Sequence, residues 1–121
     1  MLVMAQRTAD ATINGSTLAD VLKGGDGVDT ITGGQSADKL TGGSGADTIE
    51  FAATSATASD LGAGNDVATF TAALATGGTV DGGAGDDVID LMANIAVSGG
   101  PAPTATVIGG EGTDTLKIAS G

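Results

Sequence analysis

The sequence predicts an all-β fold made by stacking a short repeat, and three observations carry that prediction. A nine-residue unit recurs through the chain, with Asp at its sixth place and in nearly every copy a branched aliphatic residue at its eighth. Of the 121 residues, 22 are Gly, whereas Trp and Tyr are absent and Phe occurs twice, so large side chains are too scarce to fill an ordinary globular core. Apolar residues fall on alternate places, the period of a strand rather than of a helix. A short period of this kind belongs to solenoids, in which each unit buries its apolar face only against its neighbours.

Along the chain, residues 1–14 read as a lead-in or cap strand. Its apolar start, "MLVMA", is broken by Gln6 and Arg7, too early for a secretory apolar region, and no later stretch approaches the length of a membrane span. Residues 15–50 hold four contiguous copies: "GSTLADVLK" (15–23), "GGDGVDTIT" (24–32), "GGQSADKLT" (33–41) and "GGSGADTIE" (42–50). Residues 51–121 continue one solenoid through three spaced copies, "LGAGNDVAT" (61–69), "GGAGDDVID" (82–90) and "GGEGTDTLK" (109–117). Their start-to-start steps are 19, 21 and 27 residues instead of nine.

The expected inward residues at the eighth place are Leu22, Ile31, Leu40, Ile49, Ala68, Ile89 and Leu116. In the spaced copies the tenth place is again apolar, with Phe51, Phe70, Leu91 and Ile118, so the bulkier filling falls where the coils widen. Thr30, Thr32, Lys39, Glu50, Thr69, Asp90 and Lys117 are expected to face outward. The stretch "GGPAPTAT" (99–106) reads as a surface loop, because its two prolines cannot donate to a ladder.

Fifteen acidic residues against four basic ones give a formal charge of −11, which makes nucleic acid and anionic membrane poor partners and cations good ones. Seven of the fifteen stand at the sixth place of the repeat, so the charge is organised rather than diffuse. Without Cys or His, neither a disulfide framework nor a thiolate or imidazole metal site can form. The seryl hydroxyls have no evident base, so no catalytic constellation is expected and the chain reads as a non-enzyme. No G-K-[ST] phosphate loop and no EF-hand spacing occurs.

The copies resemble the repeats-in-toxin (RTX, hemolysin-type) nonapeptide G-G-x-G-x-D-x-U-x, a calcium-binding repeat. The resemblance covers residues 15–117 and implies a right-handed parallel β-roll in which six residues form a turn and three a strand, two nonapeptides make one coil, and calcium lies between stacked turns. It further implies ligation by the carboxylates of Asp20, Asp29, Asp38, Asp47, Asp66, Asp87 and Asp114. Backbone carbonyls would come from turns that include Gly24, Gly25, Gly27, Gly42, Gly43, Gly45, Gly62, Gly64, Gly82, Gly83, Gly85, Gly109, Gly110 and Gly112. Calcium, a hard cation that takes six to eight oxygens and accepts carbonyls readily, suits such a donor set.

If a coil is two nonapeptides, the turns starting at 24, 42, 61, 82 and 109 stack on one long edge, and those at 15 and 33 on a short one. All five long-edge turns keep the fourth-place glycine, whereas the short edge has Leu18 and Ser36 there and Ser16 at a second place. Four inter-turn calcium sites are expected on the long edge and one weaker site, 15 with 33, on the short. Asp26, Asp81, Asp86, Asp90 and Glu111 read as solvated. Without the ions, rows of carboxylates about 4.8 Å apart would repel, so the chain is expected to order on binding calcium.

Residues 42–118, where single calcium turns alternate with Ala/Thr-rich half-coils, are similar to Caulobacter-type bacterial surface-layer proteins. That resemblance implies a protein exported by type I secretion, localised at the cell surface, with a homo-oligomeric lattice or a cell-surface polysaccharide as partner. The alternative is the folding module of a secreted RTX enzyme, toxin or adhesin. The chain ends "TLKIASG" directly after a repeat, without the secretion signal such proteins would be expected to carry.

Overall fold

Strands form where the β-branched and aliphatic places of the repeat alternate. In the computed structural model, which describes residues 9–36, 38–51, 58–71, 78–91 and 106–118, there are eleven of them and no helix. Six are three or four residues long: β1 (Thr12–Asn14), β3 (Thr30–Thr32), β5 (Thr48–Phe51), β7 (Val67–Phe70), β9 (Val88–Leu91) and β11 (Thr115–Ile118). The other five have six residues each: β2 (Val21–Asp26), β4 (Lys39–Ser44), β6 (Ala58–Ala63), β8 (Thr79–Ala84) and β10 (Thr106–Glu111). Odd strands pair in parallel, in chain order, as one sheet; even strands form the second, also in chain order. All pairings are parallel and link successive coils, so the fold is a β-solenoid.

The core lies between the two sheets. Leu22, Leu40, Leu61 and Val80 face it from the even strands, and Ile13, Ile31, Ile49, Phe51, Ala68, Phe70, Ile89 and Leu91 from the odd ones. Phe51 and Phe70, paired in register, stack with ring centroids 4.3 Å apart and planes 2° apart. Thr30, Lys39, Glu50 and Lys117 are exposed on the outer faces, and Thr32, Thr69 and Asp90 are half-buried there.

Two expectations change. Leu116 and Ile118 are 49% and 62% exposed although their places point to the core, because β11 is the last strand of its sheet and no described coil covers it. The six-residue turn separates strands only at 15 and 33, and the strands that follow there, β2 and β4, have six residues instead of three. At the other five the even strands run on through the first three turn residues, leaving only 27–29, 45–47, 64–66, 85–87 and 112–114 between strands. The greater part of the loop expected at 99–106 lies outside the described residues, as do most residues of the three spacers.

Candidate metal centre

The topology sorts the turns. Those at 24, 42, 61, 82 and 109 lead from the even sheet to the odd one and stack on one edge; those at 15 and 33 lead from the odd sheet to the even one on the opposite edge. On the long edge Gly25, Gly43, Gly62, Gly83 and Gly110 stand in successive coils at one level of the ladder. Gly43 (φ 123°) and Gly45 (φ 121°) show why these places are glycine. A methyl group on either would fall on the carbonyl oxygen of Gly25 or Gly27 in the coil before, besides forcing a side chain into a conformation that L-residues avoid.

The sixth-place carboxylates form a ladder of their own. The amide of Asp29 donates to Asp47 Oδ1 (2.8 Å), Asp47 to Asp66 (2.7 Å), Asp66 to Asp87 (2.9 Å) and Asp87 to Asp114 (3.1 Å). Ala11, standing where a preceding Asp would be, donates to Asp29 Oδ1 (2.8 Å). These bonds use one oxygen of each carboxylate. The other, Oδ2, is buried with no hydrogen-bond partner in Asp29, Asp47, Asp66 and Asp87.

Such an orphaned acceptor is costly to bury unless something else meets it. What surrounds it is acceptor-rich. A methyl group added at Gly24 would fall against both Asp29 Oδ2 and the Gly42 carbonyl oxygen of the next coil; at Gly42 the pair is Asp47 Oδ2 and Leu61 O, and at Gly82 it is Asp87 Oδ2 and Gly109 O. A carboxylate oxygen and a carbonyl oxygen thus converge on a cradle that the missing Cβ leaves open. Two acceptors with no donor between them fit a cation. Among the described residues no three acidic side chains gather at one point, so main-chain carbonyls must complete any ligand set, as calcium allows.

Burial raises the carboxyls of Asp47, Asp66 and Asp87 above the ordinary range; the amide bond from the preceding coil opposes the rise, and like charge from neighbouring acids adds to it. Asp66 is pushed furthest, to about 6. Its turn is the one with Leu61 at the first place, and Leu61 is fully buried where the other turns have glycine.

The short edge is built from the same places with different partners. The Asp20 amide donates to Asp38 Oδ1 (2.8 Å), and burial raises the Asp38 carboxyl. Asp20 Oδ2, however, accepts from both the amide (2.6 Å) and the hydroxyl (2.8 Å) of Ser16. The Ser36 hydroxyl donates to the Thr17 carbonyl (2.7 Å).

A second ladder escaped the sequence reading. The fifth-place side chains of Asp10, Asn65 and Asp86 accept through Oδ1 from the amides of Val28 (2.9 Å), Asp86 (3.0 Å) and Thr113 (2.9 Å) one coil further on. Asp86 is exposed, as a solvated residue should be, and also holds the next turn. Its polarity opposes that of the sixth-place ladder, in which the acceptor belongs to the later coil. The only available signal was a short-chain acceptor at the fifth place of successive spaced copies.

Among known families, the RTX calcium-binding nonapeptide repeat matches residues 14–49 and 79–93, in 4 copies. The match indicates a calcium-binding β-roll domain. No curated protein and no solved structure matches the chain.

Proposed function

We propose that this chain is the calcium-binding β-roll domain of a type I-secreted bacterial surface-layer or cell-surface protein, which orders, and assembles, when calcium binds. The observation that carries the calcium reading is the row of buried Oδ2 atoms of Asp29, Asp47, Asp66 and Asp87, each without a donor, and those of Asp29, Asp47 and Asp87 each beside an open cradle. On the long edge Asp29, Asp47, Asp66, Asp87 and Asp114 supply carboxylates, and the first-place carbonyls of Gly42, Leu61 and Gly109 supply main-chain oxygen. Bound calcium would supply positive charge where acceptors alone converge. The chain's own part is to hold those acceptors at the spacing of adjacent strands and to keep water and side chains out.

An extracellular setting agrees with the repeat, since proteins that carry it are typically secreted. Support for a lattice protein is the alternation, after residue 50, of single calcium-type turns with Ala/Thr-rich spacers. The uninterrupted nonapeptides of 15–50 favour the second reading, a folding module serving a secreted enzyme, toxin or adhesin. The role is one of binding and structure, not catalysis.

Circular dichroism tests the calcium reading: β content should rise strongly from excess chelator to millimolar calcium, because site and fold form together. Equal β content in both would sink it. Light scattering in the same buffers separates the two roles, with large assemblies at millimolar calcium expected for a lattice protein and a monomer throughout for a module.

A further inference from the structure

We propose that the short edge carries no calcium because Ser16 occupies its ion position, making it a hydrogen-bonded clasp beside the calcium-dependent long edge. The inference rests on the calcium reading above and divides it unequally between the two edges. At Gly15 the cradle is the same as on the long edge, since an added methyl group would fall on the Gly33 carbonyl oxygen and close to Asp20 Oδ2. The difference is what faces that carboxylate.

In the long-edge turns the second place is glycine at positive φ, its backbone held in the sheet ladder, and in four of the five a buried Oδ2 is left without a donor. In the turn at 15 the second place is Ser16. No residue other than glycine has positive φ among the described residues, so this turn takes another path, and its amide and hydroxyl hydrogens both point at Asp20 Oδ2. Two donors aimed at one carboxylate oxygen already supply the positive partial charge a cation would bring, and they repel a second positive charge. The same hydroxyl accepts from the Leu18 amide (3.1 Å), which fixes its orientation. The Thr17 carbonyl of the same turn accepts from the Ser36 hydroxyl of the next coil.

Counting bound calcium on the full chain by titration calorimetry with equilibrium dialysis tests this. The wild-type chain should take four ions, one for each adjacent carboxylate pair of the long edge. Asp38→Asn, which keeps an oxygen for the Asp20 amide, should leave that count and its midpoint unchanged, whereas Ser16→Gly should raise the count by one. A fifth ion on the wild-type chain, lost in Asp38→Asn, would overturn the clasp while leaving the calcium reading intact. If Ser16→Gly does not fold, the Asp38→Asn comparison decides alone. No calcium bound by any of the three would overturn the calcium reading itself.

Discussion

Asp47 and Asp20 occupy the same place of the same repeat on opposite edges of the roll. Each stands in a chain of amide-to-carboxylate bonds, and each lies against a glycine cradle, yet Asp47 Oδ2 meets no donor while Asp20 Oδ2 meets two. The backbone differs with them: on the long edge the even strands continue through the first three places of each turn, whereas on the short edge the odd strands β1 and β3 end before the turn begins. One chain therefore solves the burial of a carboxylate in two ways, with internal donors where a serine replaces glycine, and with acceptors left open for a cation where glycine remains. In the proposed reading the second solution ties folding to the supply of an ion, and the first does not.

The largest effect expected from breaking this contrast is on ion count. Asp66→Asn keeps an oxygen for the Asp47 amide but removes the carboxylate, and should abolish the two sites that join the turns at 42 and 61 and at 61 and 82. Asp20→Asn should abolish none. Equal losses from the two substitutions, measured by equilibrium dialysis, would erase the distinction between the edges.

A pH series comes next in size. Since burial raises the carboxyls of Asp47, Asp66 and Asp87, the metal-free folded form binds protons more tightly than the unfolded chain, whose Asp carboxyls titrate near about 3.9. Stability is then favoured below that value and is lost as pH rises through the folded value, about 6 for Asp66. In chelator, the β signal in circular dichroism should be stronger at pH 4 than at pH 7. With calcium present the trend reverses, because protons compete for the same oxygens, and the calcium midpoint should rise as pH falls below about 6. A metal-free β signal that grew with pH would contradict the burial of these groups.

The smallest effect sharpens the contrast between holding a turn and holding an ion. Asp86→Ala removes the acceptor of the exposed Thr113 amide, which water can then reach, and should cost about 1 kcal/mol in a calcium-saturated urea titration. The ion count should not change. A lost ion would make Asp86 a ligand rather than a strut.

Much of this was legible in the sequence because the signals are periodic. The step from 9 to 19, 21 and 27 residues separates the turns into the two groups that the topology places on two edges, and the eighth and tenth places name the core from Leu22 to Leu91 except Leu61 and Val80. The remainder depends on neighbours in the stack, which a repeat does not encode. Leu116 carries the same signal as Ile89 and is exposed only because no described strand lies beyond it. Ser16 reads as a missing glycine until its hydrogens are seen against Asp20, and Asp86 as a surface charge until Thr113, 27 residues on, lies above it. Glycine pairs read as turn and not strand, since glycine is depleted in sheets, so the length of the even strands was hidden as well.

The fixed three-residue links of the long edge have a consequence for what the chain can tolerate. Between Phe51 and Ala58, Phe70 and Thr79, and Leu91 and Thr106 the connection grows from coil to coil while the sheets keep their pairing. The molecule is bound like a book, with a spine of glycine and carboxylate and connections of unequal length on the other side. Closing a longer loop costs only about 0.6 kcal/mol per doubling, so peptides grafted into the fore-edge should cost the fold little, whereas one residue inserted in the spine would throw every later leaf out of register.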